Sequence, residues 1–178
     1  MHENINNLQC RLYLETAKFH YKQMALNIQD KDILIYCLLA FLPIARSVTL
    51  VFQKEFHGNE ELMNWYASKV KEWENNKVLK FFIDMRNISL KEHPLIMLTR
   101  ELVPLSVFLP SSANYDRKEV HASDVEIVSY IFELPEHIDE NPEVMNLCLR
   151  YLDELEDFVI EAENIVRKEG MSNGQAVF

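Results

Sequence analysis

Arg86, Asn87 and His93 are side chains of the types that metal-free RNA cleavage requires. They lie in the segment FFIDMRNISLKEHP. An imidazole titrates near neutral pH and can take the proton of a 2′-hydroxyl, and a guanidinium binds phosphate oxygens through two hydrogen bonds. The amide of Asn87 would hold the substrate. Cleavage by this chemistry yields a 2′,3′-cyclic phosphate and a 5′-hydroxyl.

The spacing allows Arg86 and His93 to meet one ligand. Seven residues at about 100° each bring the two side chains to within about 20° of one direction. They remain about 10.5 Å apart along a straight helix, a geometry that a second copy across a dimer axis would relax. Structural roles stay open as alternatives: Arg86 pairs with a carboxylate of the acidic last helix, such as Glu154 or Asp157, or His93 caps the helix end before Pro94.

The charge balance limits the partners. The 178-residue chain has 18 Lys and Arg against 28 Asp and Glu, a formal net charge of −10, which repels nucleic acid on average. Residues 69–100 are a local exception with seven basic and four acidic side chains, whereas residues 133–163 hold eleven acids and one base. RNA or a nucleotide is therefore expected only at the first of these two regions.

Glycine and cysteine usage excludes several protein classes. Only three glycines occur, so the glycine-dependent turns of Rossmann, P-loop and all-β proteins are nearly absent. The three cysteines are widely spaced, which fits neither a disulfide framework nor a zinc knuckle and predicts a reducing compartment. Residues 1–13 lack the basic start and apolar stretch of a signal peptide, so we expect a cytoplasmic protein.

Residues 33–52 are long and apolar enough to resemble a membrane span. Pro43 and Arg46 lie within them, and an arginine near mid-span costs roughly 2.5–3.5 kcal/mol on insertion. We therefore predict a buried central helix and no membrane partner. Its polar residues Arg46, Thr49 and Gln53 fall at helical spacing and must face solvent, a partner or a polar cleft. Arg46 either pairs with a carboxylate or contributes to substrate binding.

Hydrophobic periodicity predicts one all-α domain over residues 1–178, an up-and-down bundle of four to five long helices. Asp30 or Asp32 caps the second helix, which Pro43 kinks or splits. Gly170 ends the last helix, and residues 170–178 form a flexible tail. The predicted helices run from about residue 4 to 29, from Ile33 to Phe56, from Asn59 to Asn75, from Val78 to near His93, and from Pro142 to Gly170.

The helical pattern is lost between the fourth helix and the last. Two β-rich runs, Leu102–Leu109 and Val125–Glu133, predict a small β-hairpin inserted before the last helix. Because proline cannot donate to a strand ladder, Pro104 keeps the first run at an edge.

The sequence gives little support to other chemistry. No histidine lies three residues after a glutamate, so the paired Glu-x-x-His motifs of a di-metal bundle are missing. No GxSxG motif occurs either, and we expect neither a metal nor a cofactor. Trp65, Tyr66 and Trp73 fall at helical spacing, which is more typical of core or dimer contacts than of a base-stacking platform.

The sequence Arg86-Asn87 followed by His93 after five further residues resembles the motif of HEPN (higher eukaryote and prokaryote nucleotide-binding) domains. The segment ARSVTLVFQKEF at residues 45–56, the long helices and the closing C-terminal helix are also similar to that family. The resemblance covers most of residues 4–169. It implies a helical bundle that forms a homodimer around a cleft carrying two such motifs, often in ribonuclease toxins that pair with an antitoxin.

The position of the histidine departs from the commonest HEPN spacing. Four intervening residues would place it at position 91, where this chain has Lys91. Lysine can contact phosphate but is too basic to be a good general base. Two hypotheses follow: a metal-independent endoribonuclease that uses His93, or a noncatalytic dimeric helical module that binds a protein partner or a nucleotide.

Overall fold

Five helices and one pair of strands make up the part of the chain that the computed structural model describes, residues 8–91, 98–104, 126–132 and 143–173. The protein is an all-α helical bundle, as the periodicity predicts. Helix α1 packs against α2 and α5, and α4 packs against the same two helices. The elements are α1 (Gln9–Leu26), α2 (Lys31–Phe56), α3 (Glu60–Trp73), α4 (Lys77–Lys91), β1 (Leu98–Pro104), β2 (Glu126–Phe132) and α5 (Val144–Asn173).

One apolar face of each long helix forms the core. Along α5 the buried residues recur at alternating steps of three and four, which places them on one side of a helix. Burying each large apolar side chain contributes roughly 1.5–3 kcal/mol. The buried residues on this face of α5 are Val144, Cys148, Tyr151, Leu155, Phe158 and Ala162.

Polar caps set the start of three helices. The Asp30 carboxylate accepts hydrogen bonds from the backbone amides of Asp32 and Ile33, 3.0 and 3.1 Å away. Asn59 Oδ1 accepts from the Leu62 amide at 3.0 Å, and Asn76 caps α4 in the same way. Each cap satisfies amides that the helix itself leaves unbonded, and replacing one with alanine costs about 1 kcal/mol. Of the two acids predicted to cap α2, the cap is therefore Asp30.

Helix α2 runs unbroken through Pro43, so of the two predicted effects of this proline, a kink or a split, the split is wrong. Proline removes one backbone hydrogen bond, but eight residues of α2 are buried in the core and hold both halves in one helix. Ser47 Oγ donates to the Pro43 carbonyl at 2.7 Å. By length and composition alone α2 could cross a membrane, a test that the core helix of a soluble protein also passes.

The predicted end of the last helix is also wrong. Helix α5 continues through Gly170 to Asn173, and only residues 174–178 of the predicted tail lie outside the described residues. A glycine inside a helix costs only about 1 kcal/mol relative to alanine, so it ends a helix only where the chain turns there.

The predicted strand pair is present, but its first strand lies earlier in the sequence. Strands β1 and β2 are antiparallel, from Leu98 opposite Phe132 to Pro104 opposite Glu126. Pro104 occupies the last described position of β1. Strand β2 packs against α5, and its Tyr130 is fully buried.

Candidate functional site

A cavity of about 380 Å³ opens among α2, α3, α4 and α5. Most of its lining is apolar or aromatic. We call it the Arg46 groove, after the arginine that α2 contributes to it. Its lining residues are Arg46, Thr49, Tyr66, Val70, Trp73, Glu74, Leu79, Lys80, Ile83, Tyr151 and Leu155.

Arg46 is half-buried and donates a hydrogen bond from Nη1 to Thr49 Oγ1. Thr49 is itself only 3% exposed. No carboxylate of the described residues lies within ion-pair distance of Arg46. Within those residues, the expectation that this arginine pairs with an acid is therefore wrong.

The polar stripe on α2 faces a cleft, which is one of the three settings that the sequence allowed. Arg46 and Thr49 line the groove directly. Gln53 Nε2 donates to the hydroxyl of Tyr66 at 2.6 Å, and Tyr66 also lines the groove. Arg46 and Thr49 thus lie on the α2 side of the groove, and Gln53 is connected to it through Tyr66.

Tyr151 reaches the groove from α5 and is 2% exposed. Burial raises the pKa of its hydroxyl, and the positive charge of Arg46 opposes that rise. The hydroxyl therefore stays protonated at neutral pH. It can serve as a hydrogen-bond donor in the groove.

An aromatic cluster packs next to the groove and shares two of its lining residues, Tyr66 and Trp73. Phe158 of α5 is its centre, with ring centroids of Trp65, Trp73 and Phe52 at 5.3, 5.4 and 5.2 Å. Tyr66 is 6.0 Å away. These contacts confirm that the predicted aromatic stripe of α3 belongs to the core, although Tyr66 and Trp73 also present an edge to the groove.

Arg86 and Asn87 are neighbours on α4, where Arg86 Nη1 donates to Asn87 Oδ1 at 3.0 Å. Both are half-buried. Ile83 lines the groove, and residues three and four positions later lie on the same helix side one turn further along. By this spacing the Arg-Asn pair falls about one helical turn beyond the part of α4 that lines the groove, and neither residue is among those that line it.

Two predicted site residues are not described. His93 lies outside the described residues, and Lys91 ends α4 with a side chain that is also outside them. Whether Arg86 and His93 share one ligand therefore stays a prediction.

The acids considered as structural partners of Arg86 have other neighbours. Glu154 Oε1 accepts a hydrogen bond from Asn76 Nδ2 at 2.8 Å. Asp157 lines a second, polar cavity of about 250 Å³. There Lys69 pairs with Glu161 at 2.9 Å.

Comparison with known proteins adds no family to this description. No protein-family model, curated protein or solved structure matches this chain. The resemblance to HEPN domains stays a prediction carried by the Arg86, Asn87 and His93 pattern.

The described residues contain no candidate metal site, and the two fully buried cysteines are not candidate nucleophiles. No group of three or more His, Cys, Asp or Glu side chains there could hold a metal ion. Burial raises the pKa of the Cys10 thiol to about 12 and that of Cys148 well above its usual value. Both thiols remain protonated at neutral pH and are poor nucleophiles.

The sequence predicted the polar residues that α2 contributes to the groove, but it did not predict the residues that the other helices contribute. The signal for Arg46 and Thr49 was a polar stripe on an apolar helix. Tyr151 shares its face of α5 with core residues, and nothing in the sequence places it near Arg46. Lys80 was counted only as one of the basic residues of its segment.

Proposed function

We propose that the protein is a HEPN-like, metal-independent endoribonuclease that acts as a homodimer. Arg86 binds and stabilises the reacting phosphate, Asn87 positions the substrate, and His93 removes the 2′-hydroxyl proton. The observation that carries the proposal is the Arg86–Asn87 hydrogen bond of 3.0 Å on α4, which fixes the two predicted substrate-binding side chains relative to each other.

The charge of α4 supports RNA as the substrate. This helix holds four basic side chains, Lys77, Lys80, Arg86 and Lys91, against the single acid Asp84, in a protein of net charge −10. The excess of positive charge along α4 therefore attracts a polyanion locally. Lys91 contacts the RNA backbone and takes no part in proton transfer.

The mechanism follows from the chemistry of these groups. His93 takes the proton of the 2′-hydroxyl as that oxygen attacks the phosphorus, and the bond from phosphorus to the 5′-oxygen breaks, with the departing oxygen taking a proton from water. The fixed positive charge of Arg86 stabilises the pentacoordinate phosphate that forms on the way. The second copy of the chain brings its own motif to the same cleft and shortens the distance between a guanidinium and an imidazole.

A cleavage assay in EDTA tests this proposal. Purified protein should cut single-stranded RNA and leave 2′,3′-cyclic phosphate and 5′-hydroxyl ends. Arg86→Ala and His93→Ala should each abolish cutting without lowering the melting temperature, while Arg167→Ala, at an exposed position of α5, should cut like the unmodified protein. Cutting by both site variants would refute the assignment.

Exposed apolar residues on α1 favour a second candidate, the noncatalytic dimeric module. Leu12, Phe19 and Leu26 recur every seven residues and are 68%, 54% and 77% exposed. This spacing puts them on one face, opposite the buried residues of α1. If that face is the dimer contact, Phe19→Glu gives a monomer in analytical ultracentrifugation. A dimer that never cuts RNA would favour this candidate over the nuclease.

A further inference from the structure

We propose that the Arg46 groove binds a small organic monocarboxylate with an aromatic or branched aliphatic body. This proposal goes beyond the nuclease and does not depend on it. It also gives Arg46 a ligand other than RNA.

The size and lining of the groove suit such a ligand. Its volume of about 380 Å³ lies within the roughly 300–1,000 Å³ of small-molecule sites. Leu79, Leu155 and Ile83 supply aliphatic surface, and Tyr66 and Trp73 supply aromatic surface. A planar or branched apolar body would replace water against these side chains.

Arg46 provides the recognition of the carboxylate. Its guanidinium is half-buried, and its hydrogen bond among the described residues goes to a neutral hydroxyl, Thr49 Oγ1. A guanidinium out of bulk water is stabilised most by a carboxylate that accepts two parallel hydrogen bonds. A ligand carboxylate would complete this arrangement, and the protonated hydroxyl of Tyr151 adds a donor in the same groove.

The charge of the lining selects a monoanion. Arg46 and Lys80 are positive and Glu74 is negative, which leaves a net charge of +1. A single carboxylate neutralises that charge. A phosphate monoester brings close to two negative charges and a nucleic-acid backbone brings many, so either would leave the lining with an excess of negative charge.

Isothermal titration with naphthalene-2-carboxylate tests the proposal, with naphthalene-2-carboxamide as the neutral ligand of the same shape. The carboxylate should bind with one site per chain, and the amide should bind roughly 10–100-fold more weakly because the charge-assisted hydrogen bonds are lost. Arg46→Gln should bind both compounds with the affinity that the unmodified protein has for the amide. Arg167→Gln, at an exposed arginine of α5, should bind like the unmodified protein.

A second variant tests the location of the site independently of the charge. Ile83→Trp places a larger side chain at the rim of the groove and should prevent binding of both compounds, while thermal unfolding verifies that the variant is folded. The proposal is overturned by equal binding of the acid and the amide, by unmodified binding in Arg46→Gln, or by no saturable binding of the acid.

Discussion

Arg11 and Arg46 are both half-buried arginines on long helices, and their surroundings differ completely. Arg11 Nε and Nη2 each donate to Glu163 at 2.9 Å, and Nη1 donates to Glu156 at 2.7 Å. Arg46 donates to the hydroxyl of Thr49 and faces an open cavity. The same residue type joins two helices in one place and lines a groove in the other, and only the three-dimensional partners distinguish the two roles.

The hydrogen bonds of Arg11 bind α1 to α5. The side chains of Arg11 and Glu163 are only 21% and 16% exposed, so the pair is screened less by solvent than a surface ion pair. Hydrogen bonding to Glu163 raises the pKa of Arg11. Lys18 extends the network by pairing with Glu156.

Arg11→Met gives the largest expected effect on stability. It leaves the carboxylates of Glu163 and Glu156 without the guanidinium that compensates their partial burial. We expect a loss of about 2–3 kcal/mol in the free energy of unfolding, measured by urea denaturation. The double variant Arg11→Met with Glu163→Leu should recover part of that loss, and a loss below about 0.5 kcal/mol in the single variant would contradict this account.

The second-largest expected effect is on how the free energy of unfolding falls as the pH is lowered. Burial alone would raise the pKa of Glu156, but hydrogen bonds from Lys18 and Arg11 outweigh it and hold that pKa below its usual value. The folded state therefore gains stability above the unfolded pKa of about 4.3, and this gain is lost as the pH falls through the lower folded pKa. Glu156→Gln should show a shallower decline of unfolding free energy below about pH 4.5.

A variant of Arg46 provides the comparison for this acid dependence of the unfolding free energy. Arg46→Gln should follow the unmodified protein in parallel, because no carboxylate of the described residues pairs with Arg46. A decline as shallow as that of Glu156→Gln would mean that Arg46 has an acidic partner.

Arg46→Met should change stability far less than Arg11→Met. Removing a guanidinium that lacks a carboxylate leaves no acid behind and adds apolar surface to an apolar groove. We expect the free energy of unfolding to stay within about 1 kcal/mol of the unmodified value, or to rise. A loss above about 2 kcal/mol would show that Arg46 has a structural role instead.

Local patterns were enough to predict the helices. The steps of three and four along α1 and α5 and the Asn59 cap of α3 are properties of neighbouring residues, so they are visible in the sequence. The errors arose where distant contacts decide. Burial on both sides of Pro43 holds α2 together, and the partner strand decides which residues of β1 form the ladder.

The candidate site was predictable in part for the same reason. An arginine on an apolar helix indicates a cleft or a partner, but it does not say which other helices complete the cavity. Arg11 carried no such signal, since its acids lie 145 and 152 residues away in the sequence. The RNA-cleavage hypothesis came from one segment, and the structure adds the hydrogen bond between Arg86 and Asn87 on α4.

Thr49→Val removes the hydrogen bond between Arg46 and Thr49 and gives the smallest expected effect on stability. Valine has nearly the same shape as threonine but cannot accept the hydrogen bond from Arg46 Nη1, and position 49 is only 3% exposed. The lost hydrogen bond, at about 1 kcal/mol, is offset by the burial of an additional methyl group, so the free energy of unfolding should change by less than about 1 kcal/mol.

Thr49→Val should weaken the binding of naphthalene-2-carboxylate roughly 3–10-fold, because the Arg46 guanidinium keeps its charge but loses the hydrogen bond that orients it. Thr49→Ser retains the hydroxyl and is the matched control, with an affinity close to that of the unmodified protein. If Thr49→Val weakened binding as much as Arg46→Gln, the hydroxyl itself, rather than the guanidinium that it positions, would be the main ligand of the carboxylate. In that case the difference between Arg11 and Arg46 would depend on the Thr49 hydroxyl.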